Sequence, residues 1–348
     1  MKSNKMEEAQ KHSNKIKKKH SMSKIRREID KFRNLKVLVI GDTILDQYVF
    51  VWPKGRAIKD PILSTEYKYQ EVYPGGILAI ANHISNFVNK VKLVSIVGDK
   101  NSRVNFISKS LNKNVDLKTF TKKNSHTTVK KRYIDYARHN KLFKVEYMND
   151  KPITNDLSNK ILRFLDKEIQ KYDLVVVGDF GHGFINNEIR KKLGEKAKFL
   201  ALNSQSNSAN MGYNYFNLYD NPSFVSTSED EFRLPLSRRF EPIEDVVKEG
   251  RNVFKLNSFL VTLGKHGCIF VNKDKIFKAP VLTSSVKDTV GAGDALYAIA
   301  ALCVYSNVDD ELVPFIANCA GGIAANIMGN KESVTKESLL QFVKDVLK

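Results

Sequence analysis

The chain has 348 residues, 42% of them hydrophobic, and its 57 Lys and Arg against 38 Asp and Glu give a net charge of +19. That length and apolar content suit one large α/β domain or two smaller ones. No apolar run approaches the ~20 residues of a bilayer crossing, the first thirty residues lack the apolar block of a secretory signal, and Cys268, Cys303 and Cys319 show no metal-ligand spacing, so a reduced, cytoplasmic chain is expected.

The charge is uneven. Residues 1–36 hold thirteen Lys or Arg and four acids. A basic arm of that kind suits nucleic acid, an anionic surface, or simply solvent. The stretch has almost no aromatic side chains to stack on bases, which favours a solvated, flexible tail over residues 1–34 and makes a nucleic-acid partner unlikely. From residue 35 onward the pattern changes. Short Val- and Ile-rich runs at 36–42, 91–99, 172–180, 199–203, 223–227 and 259–264 end on a glycine or a polar residue and read as buried parallel strands. Helix-like segments at 76–88, 102–112, 155–170, 186–194 and 242–255 lie between them, and 294–306, 311–328 and 335–347 follow. The alternation predicts an α/β fold, a doubly wound and mostly parallel sheet with helices on both faces. Ligands in such sheets sit beyond the carboxyl ends of the strands, where Asp42, Asp99, Asp179 and Asn203 fall. Two segments, about 48–73 and 126–147, alternate instead and carry aromatics. They predict a small antiparallel β lid over that crevice.

The chemistry concentrates in "KDTVGAGDAL", residues 287–296. A glycine turn leading into a helix leaves the N–H groups of Ala292, Gly293 and Asp294 without intrahelical partners and adds the positive end of the helix dipole. Glycine at 291 and 293 lets a phosphate approach the backbone. Asp294 reads two ways on residues alone, as a helix cap or as a base beside an anion hole.

"DTVGAGDAL" resembles the signature of the ribokinase-like, or pfkB, carbohydrate kinases. So do "VLVIGDTILDQY" (37–48), "YPGGILAIAN" (73–82) and "VTLGKHG" (261–267), which occur in the family's order. The likeness extends over about residues 35–345 and is nearest to the branch that phosphorylates heptose 7-phosphate, through "HTTVKKRYI" and "GDFGHGFI" (178–185). It implies a kinase domain over 35–348, ATP and Mg2+ as cofactors with room for a monovalent cation, and Asp294 as catalytic base beside an anion hole of Gly291, Ala292 and Gly293. Substrate binding would fall to Asp46, Gly75, Gly76, Asn82, Lys130, Arg132, Asp179 and Asn203. Nucleotide binding would fall to Thr262, Gly264, Gly267, Asn318 and Gly322, and Glu231 would hold magnesium through water. A sugar 1-phosphate for nucleotide-sugar synthesis is the implied product, with a nucleotidyltransferase as a separate partner and a homodimer formed through the lid. The departures lie mostly on the sugar side. Ala79 stands where the family places a substrate-binding Asn, "RAIKDP" replaces a motif of the heptose branch, and Ser228 replaces the Asn ahead of Glu231. "LNSQSNSANMGYN" (202–214) brings amides and hydroxyls in place of an Asp-Pro stretch. Two other readings fit the same residues: a nucleoside or small-polyol kinase of this fold, and a catalytically silent sugar-sensing or nucleic-acid-binding regulator.

Overall fold

Val37 and Val39 are buried on one side of the first strand, and Leu38 and Ile40 are buried on the other. A strand apolar on both faces has to be covered on both, which requires a three-layer sandwich. The computed structural model describes residues 2–207, 210, 212–283 and 285–348 and has this form. In chain order, α1 (Lys2–Lys19) and α2 (Met22–Asp30) precede β1 (Lys36–Arg56), β2 (Leu63–Gly76), α3 (Ile77–Ser85), β3 (Lys90–Lys100) and α4 (Val104–Ser110). Then come β4 (Val115–His126), β5 (Thr128–Asp135), β6 (Lys141–Tyr147), α5 (Asn155–Glu168), β7 (Leu174–Asp179), α6 (Asn187–Lys196) and β8 (Leu200–Ser204). The remainder is β9 (Phe224–Ser228), α7 (Glu229–Arg233), α8 (Ile243–Val253), β10 (Ser258–Thr262), β11 (Cys268–Asn272), β12 (Lys275–Ala279), α9 (Ala292–Tyr305), α10 (Leu312–Ala324) and α11 (Lys336–Val346).

The main sheet runs β12-β11-β10-β9-β8-β7-β1-β3-β4, parallel from β10 to β4 and antiparallel at the β10–β11–β12 edge. One face packs on α3, α9, α10 and α11, through residues such as Ile80, Tyr297, Phe315 and Leu339. The other packs on α5, α6 and α8, through Ile161, Ile189 and Val247. β1 is longer than the main sheet needs. Its first half pairs with β3 and β7 as far as Asp42, and from Thr43 onward it leaves the sheet to pair with β2 and β5. This second sheet, β2-β1-β5-β6, is the expected small sheet, but β1 and β5 run parallel, so it is mixed rather than wholly antiparallel. Parallel neighbours need a long connection, and β1 and β5 are separated by three strands and two helices of the chain.

The N-terminal segment departs from the expected flexible tail. Ile16, Ile25, Ile29 and Phe32 sit in the same core as α3, α9 and α11. Ile25, Ile29 and Phe32 recur every three or four residues, a period that the density of lysines conceals in the sequence. Lys15 and Lys19 pair with Glu311, Lys24 with Asp309 and Lys336 with Asp30. Three of the N-terminal lysines therefore fasten α1 and α2 to the domain. No described helix is long and apolar enough to cross a membrane, and the three cysteines are free and buried.

Candidate active site

Helix α9 starts where its sequence dictates. Gly291 is the N-cap in the left-handed region, at φ 85°. A Cβ there would come within 2.0 Å of Asn330 Oδ1, so both the dihedral and the close approach demand glycine. At Gly293 a Cβ would meet nothing within 4 Å, and space is open in front of the helix start. Ala292 N–H is bonded back to Thr289 O at 3.3 Å. The N–H groups of Gly293 and Asp294 have no partner among the described residues, so the expected anion hole of three donors is a hole of two.

Asp294 lies in the first turn of α9 and is 8% exposed. Burial, and then the negative charge of Asp46, push its carboxyl up to about 7, while Gln205 and Lys130 pull the other way. Its Oδ1 accepts from Gln205 Nε2 at 3.1 Å. A capping aspartate would accept from the backbone of its own helix, but this helix has no side-chain cap. The carboxylate therefore does not serve as the helix cap. It is a carboxyl whose pKa burial raises toward neutrality, beside two free backbone donors.

The second sheet supplies the facing wall. Asp46, on β1 where the strand leaves the main sheet, is ion-paired through Oδ1 with Arg132 of β5. Its Oδ2 has no partner among the described residues and lies against the β2 turn, where a Cβ on Gly75 would come within 2.3 Å of it. Gly76, at φ 53°, passes the chain into α3. Lys130 is the register partner of Asp46 across β1 and β5. Its ammonium is half-buried and has no hydrogen bond or ion pair among the described residues, because its cross-strand neighbour Glu146 is taken by Lys144. Burial lowers the Lys130 pKa even though Asp46 and Glu146 oppose the shift. Lys130 and Arg132, predicted to act alike, therefore differ: Arg132 is committed and Lys130 is free.

Three predicted sugar ligands are placed elsewhere. Asn82 on α3 donates to Ser110 O and accepts from Asn112 N, which ties α3 to the segment before β4. Asp179 is 1% exposed and held by Arg190, Tyr219 and Asn214. Asn203 donates to Ser226 O and accepts from Gln205, so it backs the site and does not line it. Asp42 and Asp99, expected at the crevice edge, are also taken by neighbouring loops: buried Asp42 accepts from Phe180 N, and exposed Asp99 accepts from Asn124 and Ser125 N. Strand ends in a doubly wound sheet carry loop N–H groups that need acceptors, and these carboxylates supply them. The histidines are structural as well. His83 accepts from Val334 N, with its pKa pulled down to about 4 by burial, and His182 pairs with Asp150.

On the expected nucleotide side, Thr262 donates to Thr227 O at 3.5 Å and Gly264 (φ 53°) faces open space. Gly267 (φ 93°) is needed because a Cβ would strike Ala279 O at 2.0 Å. Asn318 donates to Pro280 O at 2.5 Å, and Gly322 packs beside Thr283, so these two hold the chain after β12 against α10. Glu231 forms a capping box with Ser228 on α7. Its Oε2 accepts from Ser228 N, Ser228 Oγ and Thr227 Oγ1, and its Oε1 from Ser206 N. Only Oε1 keeps a free lone pair, which suits holding a metal's water and not the metal itself. Of the stretch 202–214, Ser208, Ala209 and Met211 lie outside the described residues.

Two residues of the site had not been singled out. Gln205 contacts the carboxylate directly. Asp288, six residues before it, accepts from Tyr48 Oη at 2.5 Å, Lys141 Nζ at 2.6 Å and Gly329 N at 3.0 Å. It thereby ties the glycine turn to β1 and β6 of the second sheet and to the loop after α10. Burial alone would raise its pKa, and these donors hold it below the usual carboxylate range. Its position at the head of "DTVGAGD" was the available signal.

Residues 34–336 match the family described as pfkB family carbohydrate kinase. The chain belongs to that family. That family is one of carbohydrate kinases. It is similar to the bifunctional protein HldE of Helicobacter pylori (strain HPAG1), with 26% identity over 315 residues, 88% of this chain and 66% of that protein. The chain thus spans just under two thirds of the length of that curated relative. In fold it is similar to a putative ribokinase from Agrobacterium tumefaciens, with TM-score 0.68, 15% identity and coverage of 90% of this chain and 99% of the other. A ribokinase of Arabidopsis thaliana, solved with ribose and ATP, is similar at TM-score 0.65 and 17% identity, covering 89% of this chain and 99% of that one.

Proposed function

We propose that this kinase transfers the γ-phosphoryl of ATP to a sugar that already carries a phosphate, a heptose-7-phosphate-like acceptor, and yields a sugar 1-phosphate for nucleotide-sugar synthesis. The observation that carries this reading is Lys130. A half-buried ammonium with no counter-ion of its own, next to the acceptor-side carboxylate Asp46, is costly unless an anion of the substrate completes it. The likeness to HldE supports the same acceptor class.

In the reaction so read, Asp46 Oδ2 accepts hydrogen bonds from sugar hydroxyls while Arg132 fixes its orientation. Asp294 takes the proton of the attacking hydroxyl as the new O–P bond forms and the bond from phosphorus to the ADP oxygen breaks. The N–H groups of Gly293 and Asp294 hold the charge on the transferred group. ATP lies along Thr262, Gly264 and Gly267 and against Asn318 and Gly322 of α10. Magnesium, when bound with the nucleotide, neutralises charge on the phosphates, and Glu231 Oε1 holds one of its waters. The second sheet acts as the lid. Its face opposite Asp46 exposes Tyr67 and Phe143 at 59% and 47%, and we propose that a second copy of the chain covers them.

The test is ADP release across a panel of sugars, sugar phosphates and nucleosides that includes heptose 7-phosphate and its stereoisomers. Turnover on a phosphorylated heptose, at least tenfold above the matching free sugar, is expected. Equal turnover on free sugars, or a preference for nucleosides, overturns the acceptor assignment.

A further inference from the structure

We propose that Gln205 is a positioning residue for the catalytic carboxylate: its side-chain amide, locked in one orientation by Asn203, aims Asp294 Oδ1 and keeps that oxygen unprotonated. The inference rests on the reading of Asp294 as the base. The geometry is a directed chain of four groups. Ser226 O can only accept, so Asn203 Nδ2 must point at it, at 2.8 Å. Asn203 Oδ1 is thereby turned toward Gln205 and accepts from Gln205 Nε2, also at 2.8 Å. With one amide hydrogen spent there, the second hydrogen of the same Nε2 goes to Asp294 Oδ1, at 3.1 Å. Rotating the Gln205 amide by half a turn would set its oxygen against two acceptors, so the orientation is fixed by exclusion. The backbone is pinned too: Gln205 N donates to Asp179 O at 2.9 Å, and Gln205 O accepts from Asn210 and Asn214.

Such a contact has two consequences. A donor to the ionised form of a buried carboxylate favours that form. Around Asp294 the other charges are Asp46, Glu231 and Lys130, two against and one for ionisation, and Asp46 is already paired with Arg132. Gln205 is the only one of these groups that touches the carboxylate, so it sets how much of the enzyme is in the base form near neutral pH. It also occupies Oδ1, which leaves Oδ2 to face the acceptor hydroxyl. This gives the amide-rich stretch after β8 a role on the phosphoryl side of the cleft, away from the sugar. Asn203 and Asp179, expected as sugar ligands, become the supports that hold Gln205 in place.

Gln205→Met keeps the length of the side chain and removes the donor, and Gln205→Glu removes the donor and adds charge. The direct readout is the titration of the Asp294 carboxyl carbon in protein labelled with 13C at Asp Cγ, assigned by the resonance that disappears in Asp294→Asn. It needs no knowledge of the sugar. The midpoint is expected to rise by about one pH unit in Gln205→Met and further in Gln205→Glu. The acid limb of kcat/KM, on the best acceptor of the panel, should move by the same amount. That is about a tenfold loss below the limb, with a smaller loss well above it, where the carboxylate is ionised but no longer held by the amide. A merely structural role would lower kcat/KM evenly across pH and leave the limb in place. An unmoved midpoint, together with an inactive Asp294→Asn, overturns the Gln205 proposal alone. Normal turnover by Asp294→Asn overturns the base reading and the catalytic part of this proposal with it, whatever the titration shows.

Discussion

The turn proposed to hold the phosphoryl group is made from consecutive residues, Asp288 to Asp294, whereas the facing wall is drawn from three strands: Asp46 on β1, Gly75 on β2, and Lys130 and Arg132 on β5. The first works mainly through backbone. Two free N–H groups, a left-handed glycine and an open helix start need only glycines in the right places and one carboxylate. The second works through side-chain charges whose pairing depends on strand register, Asp46 opposite Lys130 and two residues from Arg132. A backbone site has little to vary, while a charge cluster can be retuned one residue at a time.

The comparison is tested hardest at its chemical centre. Asp294→Asn should lower kcat by about three orders of magnitude, within the range of a lost general base, with nucleotide binding retained by calorimetry. The same variant should be more stable than the parent at pH 8. The folded-state pKa of Asp294, about 7, lies above the usual aspartate value, so the folded protein binds this proton more tightly than the unfolded chain. Its stability contribution is greatest at low pH and declines as pH rises from about 4 to about 7. Removing the charge should therefore raise the melting temperature at pH 8 and change it little at pH 4. A melting temperature lowered equally at both would show that the carboxylate is a structural acceptor.

The wall predicts a different signature. Lys130→Met should raise KM for a phosphorylated acceptor about 10- to 100-fold, the scale of one charge-assisted contact, while kcat and the KM for an unphosphorylated analogue move much less. If kcat falls equally for both acceptors, Lys130 serves the transferred phosphoryl, and the division between turn and wall disappears. Arg132 is no substitute in this test. Removing it would strand Asp46 as a buried charge and confound affinity with a folding defect of about 3–5 kcal/mol.

What could be read in advance divides along the same line. The strands, their alternation with helices and the glycine turn are local patterns, and the structure places Gly291 and Asp294 at a helix start as the sequence implies. Asp179 and Asn203 sit at the ends of parallel strands, and Asn82 lies on α3, after the glycine turn that resembles the family's. A polar residue at a strand end can face the ligand or a neighbouring loop, and only the packing of Ser110, Arg190 and Ser226 against them decides which. The N-terminal helices were missed for a related reason. Ile16, Ile25, Ile29 and Phe32 are few among many lysines, and their burial depends on a distant partner surface that includes Glu311 and Asp309. The parallel β1–β5 pair, joined by a long connection, left no short-range mark at all.

The smallest effect separates the two glycines of the turn. Gly291→Ala puts a Cβ at φ 85° and against Asn330, costing about 1–2 kcal/mol in backbone strain before the clash is relieved, so melting temperature and activity should fall together. Gly293→Ala meets no protein atom within 4 Å and exchanges a poor helix former for the best one, so its melting temperature should hold or rise slightly. If a phosphoryl group rests on the Gly293 N–H, the new methyl intrudes on the space that group needs, and kcat/KM should drop about tenfold while stability does not. Loss of rate without loss of stability at Gly293, beside loss of both at Gly291, is the pattern of an anion hole built from backbone. An alanine at 293 that leaves the rate untouched would mean that the phosphoryl group lies elsewhere, and the turn would be only a well-formed helix start.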